Sequence, residues 1–387
     1  MAQITGFDAS QVDQLLLDLE RNWPDARGNE NNVRIADTKI LKGIWAEQTA
    51  ELANTLTEND SCKPIKVQWL ESGGSTIQEG TSTNHTAVTC EIDGDQPASN
   101  KIEYQITNWM SSTLKIPVKD CGNRFTFDQK FQHKLQNTII DLVNQLASKV
   151  PLALLGFSGV NPYKGLLGTY GKLVDNVTDD PTLTRVPAGN FNAFDIVPYL
   201  MELAELNRFK NPAVFDGGNL YWPLYNAQGQ KGTPAGDAGQ QNHFDDLRIY
   251  TDRQNFLKNG GSLADSDFLI DRGAVAMYTA AYNEVKADIM GDGFAETRFR
   301  TPLLGLRFPN GPGQSLPVES DTIFRRERMP VSEGSSVCED FFVWELKIWY
   351  IILNNPLMSV NDGVTGVIRI KRDANLTQIG TPMQKAL

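Results

Sequence analysis

Apolar residues at helical spacing open the chain. Val12, Leu15, Leu16 and Leu19 recur at steps of three and four behind Ser10, a helix-capping residue type, and Pro24 with Gly28 stops the run. A second helix is predicted over 35–56, with Ile40, Leu41, Ile44, Trp45, Leu52 and Leu56 on its apolar side. From Lys63 the period changes to two. "KPIKVQWLES", "TAVTCEID", "NKIEYQITNW" and "STLKIPVKD" alternate with β-branched and aromatic residues, while "SGGSTIQEGTSTNH" and "DGDQPASN" read as connecting tips. So few of these positions are strongly apolar that the segment predicts a long hairpin-like insertion, not a compact barrel.

The cleanest helix follows. Thr126 is its predicted N-cap, and Phe127, Phe131, Leu135, Ile139, Leu142, Val143, Leu146 and Val150 share one face before Pro151 ends the run. One side of so long a helix must lie along a sheet or another element. Further on, "VPAGNFNAFDIVPYLMELAELNRF" predicts a helix from near Asn192, and "NPAVFDGGNLYWPLYNA" predicts strand, turn and strand around Gly217-Gly218. "FLIDRGAVAMYTAAYNEVKAD" reads as a short strand, a turn at Arg272-Gly273, and apolar residues near helical spacing. "SSVCEDFFVWELKIWYIILNNP" is strongly strand-like, and Val364, Val367, Ile368 and Ile370 form a final strand after a glycine turn. The class is α+β.

Composition narrows the function. A chain of 387 residues with 40% hydrophobic content can bury a sizeable core, and a formal net charge of -11 argues against a dedicated basic binder of nucleic acid. Cys62, Cys90, Cys121 and Cys338 include no C-x-x-C pair, which predicts reduced thiols and no zinc ribbon. The N-terminus lacks a basic-then-apolar signal pattern, and no apolar run is expected to reach membrane-spanning length, so no membrane is implied.

Candidate chemistry is sparse. His85, His133 and His243 sit in three separate contexts with no metal-ligand spacing, and His243 with Asp245 and Asp246 reads as a solvated acidic loop. No G-x-S-x-G elbow occurs. "GLLGTYGKL", Gly165 to Leu173, misses the phosphate-loop spacing and has Leu173 where a Mg-binding Ser or Thr is required. "DIMGDGFAE", Asp288 to Glu296, lacks the alternating acids of a calcium loop and predicts a turn with exposed acids. Arg325, Arg326 and Arg328 suit salt bridges to acids of this chain or a neighbour, and Tyr221, Trp222 and Tyr225 suit core packing more than stacking on a sugar or base. The expectation is a non-enzyme with no cofactor and no metal.

The order of elements, from helical arm through projecting hairpin, long helix and mixed α/β middle to a return strand and closing β turn, resembles the major capsid proteins of tailed bacteriophages with the Hong Kong 97-type fold. The resemblance spans nearly the whole chain and rests on no single motif. It implies an N-terminal helical arm over 1–62, an extended β-hairpin loop over 63–122, a peripheral domain from 123–185 and 336–387 with a spine helix at 126–150, and an axial domain over 186–335. It also implies self-assembly into hexamers and pentamers of an icosahedral head that encloses double-stranded DNA without sequence-specific binding. The protein would be assembled in the host bacterial cytoplasm and end in the virion.

The short arm from Met1 implies separate scaffolding, beside a portal and possible decoration proteins. Inter-subunit contacts are expected from Trp69, Glu71, Glu79, Lys101 and Tyr104 in the loop and from Arg325, Arg326 and Arg328. Lys66 and Lys101 with Asn354, Asn355 and Asn361 offer no selected pair, so no covalent crosslink is expected. In Asn219–Asp246 the aromatic half would pack in the axial domain and the glycine-rich half would form a loop at a capsomer axis or outer face. Two rival readings are a carbohydrate- or receptor-binding virion protein using Tyr221, Trp222 and Tyr225, and an enzyme with a dispersed acidic pair such as Asp245 and Glu296.

Overall fold

The computed structural model describes residues 39–48, 65–70, 99–117, 127–159, 166–167, 172–173, 182–192, 196–224, 247–259, 261, 263–282, 286–289, 295–309, 315–330, 338–355 and 365–375. The predicted first helix and the tips of the hairpin insertion lie outside them. In chain order the elements are α1 (Lys39–Glu47), β1 (Ile65–Leu70), β2 (Ser99–Tyr104), β3 (Asn108–Pro117) and α2 (Phe127–Phe157). Next come the two-residue strands β4 (Leu166–Leu167) and β5 (Lys172–Leu173), then β6 (Leu183–Pro187), α3 (Ala188–Asn192) and α4 (Ile196–Leu206). They are followed by β7 (Ala213–Asp216), β8 (Arg248–Thr251), α5 (Arg253–Lys258), β9 (Ser266–Ile270) and β10 (Val275–Ala280). The chain closes with β11 (Lys286–Ile289), β12 (Ala295–Pro309), β13 (Ser315–Pro330), β14 (Cys338–Asn354) and β15 (Val367–Asp373).

Two sheets share one core. The first is built on the 17-residue β14, which has β3 along one edge (opposite Phe341–Tyr350) and, end to end along the other, β13 (opposite Cys338–Lys347) and β10 (opposite Trp349–Asn354). Beyond β13 lie β12 and β11, every pairing in this sheet being antiparallel. The period-two pattern sends Phe342, Trp344, Leu346 and Ile348 inward with Leu114 and Ile116 of β3 and Phe324 of β13. Phe131 of α2 meets Trp344 edge to face at 5.0 Å.

The second sheet runs β6-β15-β9-β7-β8, with parallel pairs at both edges. Its alternate residues face two ways, as strands buried on both sides must. Ala213, Phe215, Phe268, Ile270 and Val367 join the core around α2, while Val214, Leu269, Ile368 and Ile370 pack under α3 and α4 with Val197, Leu200 and Leu203.

The 31-residue α2 spans about 46 Å at the usual rise and serves both sheets. Lys130–Phe157 is long and apolar enough to cross a membrane, which corrects the expectation that no such run exists. Here its apolar side is core, since Leu135, Ile139, Val143, Leu146, Val150 and Leu154 are fully buried. Pro151 was predicted to end this helix, yet it continues to Phe157. A proline inside a helix removes one N–H and pushes on the preceding turn. Nearby carbonyls find other donors: Ser148 Oγ donates to the Gln145 carbonyl at 2.7 Å and Asn259 Nδ2 to the Ser148 carbonyl at 2.8 Å.

The short helix α1 wedges between the sheets with Ile40, Leu41, Ile44 and Trp45 buried, and Trp45 Nε1 donates to the Met277 carbonyl at 3.2 Å. Gly43 is required there, because a Cβ would stand 2.9 Å from the Tyr250 ring. Glu47 ends the helix, accepting a hydrogen bond from Tyr250 Oη at 2.8 Å and lying 2.7 Å from Arg248 Nη2.

Strand pairing cuts across the expected division of the chain. β12 and β13, expected in the axial domain at 186–335, belong to the β14 sheet, and β15, expected beside β14, lies inside the second sheet against β9 and β6. Likewise β3, at the end of the expected 63–122 loop, is a strand of the β14 sheet. Residues 275–280, which sequence spacing suggested as helical, are β10, because pairing with β14 overrides a weak local preference.

Candidate functional site

Two aspartates sit side by side at the end of the second sheet. Asp216 and Asp267 are direct partners across β7 and β9, both on the face that carries Val214 and Leu269, and both are buried. Asp267 Oδ1 accepts from the Gly217 amide at 2.9 Å and from Asn219 Nδ2 at 3.2 Å. Asp216 Oδ1 accepts from the amides of Gly218 at 2.8 Å and Leu220 at 3.1 Å, and its Oδ2 accepts from Thr251 Oγ1 at 3.0 Å. Burial, then the neighbouring Asp216 charge and a hydrogen bond to Asp216, push Asp267 well above the ordinary carboxylate range, and the Gly217 and Asn219 donors only partly offset this.

The pair shapes the turn above it. A Cβ on Gly217 would meet the Ser266 carbonyl at 2.9 Å, and Gly218 has φ +97, so side chains are excluded at one position by space and at the next by backbone. Residues 221–224 then form a helical turn, with the Leu224 amide donating to the Leu220 carbonyl at 3.0 Å. This corrects the expected second strand and the expected packing of the aromatics. Spacing by four turns Leu220 and Leu224 inward, while Tyr221 and Trp222 are left 50% and 65% exposed, their rings edge to face at 5.6 Å. Tyr225 and the glycine-rich residues beyond it lie outside the described residues.

A second exposed cluster lies on the outer face of the β14 sheet. Trp109 of β3 stands opposite Trp349 of β14, and Lys347 Nζ lies 4.4 Å and 4.0 Å from their ring centres. Trp349 Nε1 donates to Asp321 Oδ2 at 3.0 Å, and the Tyr282 amide donates to Asp321 Oδ1 at 2.6 Å. Sequence reading passed over Asp216, Asp267, Trp109, Lys347 and Trp349. For the aspartates the available signal was an acid inside otherwise apolar strands, "AVFD" before Gly-Gly and "SDFLI".

The predicted contact residues are not gathered into one patch. Arg325 pairs with Glu327 at 2.6 Å and Glu345 at 3.8 Å, and Arg326 with Asp340 at 2.5 Å, so acids of the same chain take up both. Arg328 is exposed opposite Asp340 on β14. Tyr104 packs with Ile106 against Ala276, Tyr278 and Leu353 of its own chain. The backbones of Trp69 and Lys101 lie in the two-stranded β1–β2 ribbon, with Gln68 opposite Lys101, while Glu71 and Glu79 fall outside the described residues.

Among the other candidates, the ends of the Gly165–Leu173 stretch pair as a small hairpin, Leu166 opposite Leu173. Glu296 stands opposite Asp288 in the β11–β12 hairpin, and Asp245 is outside the described residues. His133 is hydrogen-bonded to Asn137 at 3.1 Å, while His85 and His243 are outside them. Asn355 donates to the Gly273 carbonyl at 2.9 Å. No group of three or more His, Cys, Asp or Glu that could hold a metal occurs among the described residues.

No protein-family model and no curated protein matches the chain. Similar solved structures include one from Mycobacterium phage Che8, at 10% identity over 84% of this chain and 90% of that one with a TM-score of 0.41. The capsid structure of the cyanophage P-SCSP1u is similar at 11% identity over 81% and 85%, TM-score 0.41. A structure from Mycobacterium phage Bobi is similar at 12% identity over 96% and 99%, TM-score 0.41. At the level of fold, the chain's neighbours among solved structures include those of phage capsids.

Proposed function

We propose that this chain is the structural subunit of an icosahedral phage head, assembling into hexamers and pentamers that enclose double-stranded DNA. The observation that carries the reading is the β1–β2 ribbon. It pairs six residues with six, joins neither large sheet among the described residues, and its strands are linked in sequence by 71–98. A two-stranded ribbon is marginal in water and gains stability from a second surface. A neighbouring copy supplies that surface in a closed symmetric shell, where each subunit lies on the next.

The rest of the chain is consistent with a rigid plate: long antiparallel strands backed by α2, and no convergent catalytic constellation among the described residues. With a net charge of -11, the subunit encloses DNA without gripping it. In this reading Trp69, Glu71, Glu79, Lys101 and the Arg325–Arg328 cluster contribute to lattice contacts, separate scaffolding and portal proteins assist, and assembly takes place in the host cytoplasm.

Negative-stain electron microscopy with sedimentation velocity tests this, on the protein expressed alone and beside its neighbouring genes. Shells, capsomers or tubes are the expected result. A monodisperse monomer or small oligomer under both conditions would sink the reading. The exposure of Tyr221 and Trp222 favours one alternative, a carbohydrate- or receptor-binding virion protein. Glycan-array binding by the unassembled subunit, abolished by Trp222→Ala, would select it.

A further inference from the structure

We propose that Asp216 and Asp267 hold a single proton between them and that this proton is the latch fixing the Gly217–Leu224 turn, which presents Tyr221 and Trp222. The inference goes beyond the assembly reading and stands whether or not the chain forms shells.

The geometry leaves little room for two charges. The residues are direct partners on adjacent strands, on one face and out of water. Two ionised carboxylates at such a separation repel strongly where water cannot screen them, so one proton is retained. Among the described residues, every donor that reaches the pair comes from the turn or from the strand beside it: the amides of Gly217, Gly218 and Leu220, Asn219 Nδ2 and Thr251 Oγ1. These bonds tie the turn to both strands, Gly217 and Asn219 to β9 and Gly218 and Leu220 to β7.

Among the described residues no cation forms an ion pair with either carboxylate. On α5, the Asp252 carboxylate accepts from Asn255, and the stem of Arg253 lies against the Gly218 backbone. On β15, Ile370 is opposite Asp267, Arg369 donates to Ser266 Oγ, and Lys371 is opposite Ser266. On β8 the group that reaches the pair is the neutral Thr251 hydroxyl.

The direction with pH follows. Because Asp267 is raised in the folded protein, the folded state holds the proton more tightly than the unfolded chain does. Its contribution is full below the ordinary value of 3.8 and is lost as pH climbs through the raised folded value. Above that point the second charge appears and the turn loosens.

The test is hydrogen exchange of the peptide 213–224 in the full chain from about pH 5 to about pH 9, corrected for the intrinsic rate. Protection of the Gly217, Gly218 and Leu220 amides should fall at least about tenfold across the range in the native protein. In Asp267→Asn, which keeps the shape without the second charge, it should stay level. Protection in the native protein that does not change with pH, or an unaltered pH response in Asp267→Asn, would overturn the proposal. If that variant does not fold, the native emission minus that of Trp222→Phe isolates the exposed indole. A titration midpoint matching the exchange data supports the latch, and a flat difference signal refutes it.

Discussion

Glu47 ends α1 with its carboxyl out of water, and Tyr250 Oη and Arg248 are its partners there. Burial raises its pKa above 4.5, and the Tyr250 hydrogen bond and the Arg248 charge only partly oppose that rise. Arg248 is partly exposed, so solvent screens some of the attraction, and its removal is expected to cost about 1–3 kcal/mol, less than for a fully buried pair. The loss in Arg248→Met should depend on pH. A group raised in the folded state stabilises fully below its unfolded value and loses that contribution as pH rises through the folded one. Without the guanidinium, Glu47 rises further. Urea unfolding should therefore show a larger deficit near about pH 7 than near about pH 4. Equal deficits at both would mean that Arg248 acts through its packing alone.

At the scale of elements, Pro151 is the place where a local rule and the fold disagree. The residue lacks the N–H that the Ala147 carbonyl would accept, yet Val150 and Leu154 on either side are fully buried and hold the helix in line. Pro151→Ala should raise stability by about 1 kcal/mol in urea unfolding, the returned bond outweighing the packing lost with the buried ring. A loss would show that the ring or a bend it imposes is itself packed. The same contrast explains what could be read beforehand. The buried face of α2 was legible because seven turns of apolar residues admit one period, and β14 was legible from its aromatic and β-branched run. β12 and β13 were not, because "FRRERMP" hides an alternation in which Phe324 points inward while Arg325 and Glu327 face outward in ion pairs. The positions of β10 and β15 depended on distant partners, which no local pattern encodes. Asp216 and Asp267 are 51 positions apart in number and adjacent in space, and only their register brings them together.

At the scale of the whole molecule, the ribbon is the part that looks outward for a partner. Its root is anchored, as Tyr104 and Ile106 pack against Ala276, Tyr278 and Leu353. Beyond the root, β1 and β2 pair with each other and with no other strand among the described residues. Ile102, Glu103 and Tyr104, the ribbon residues whose side chains are described, take no part in the main core that joins both sheets through α2. Folding of the body and formation of the ribbon's contacts are therefore separable. Deleting Gly73 to Thr83 shortens the sequence between β1 and β2 and removes no residue of the strands in either large sheet. The subunit should keep its unfolding free energy to within about 0.5 kcal/mol, as for changes away from a core. Particles should be lost, with sedimentation velocity showing the unassembled subunit alone. Normal particles from the shortened chain would remove the ribbon from the lattice and leave the outer face around Trp109, Lys347 and Trp349 as the surface to examine. A fall in subunit stability would mean instead that the ribbon folds back on its own body, and the reason for seeking a neighbour would disappear.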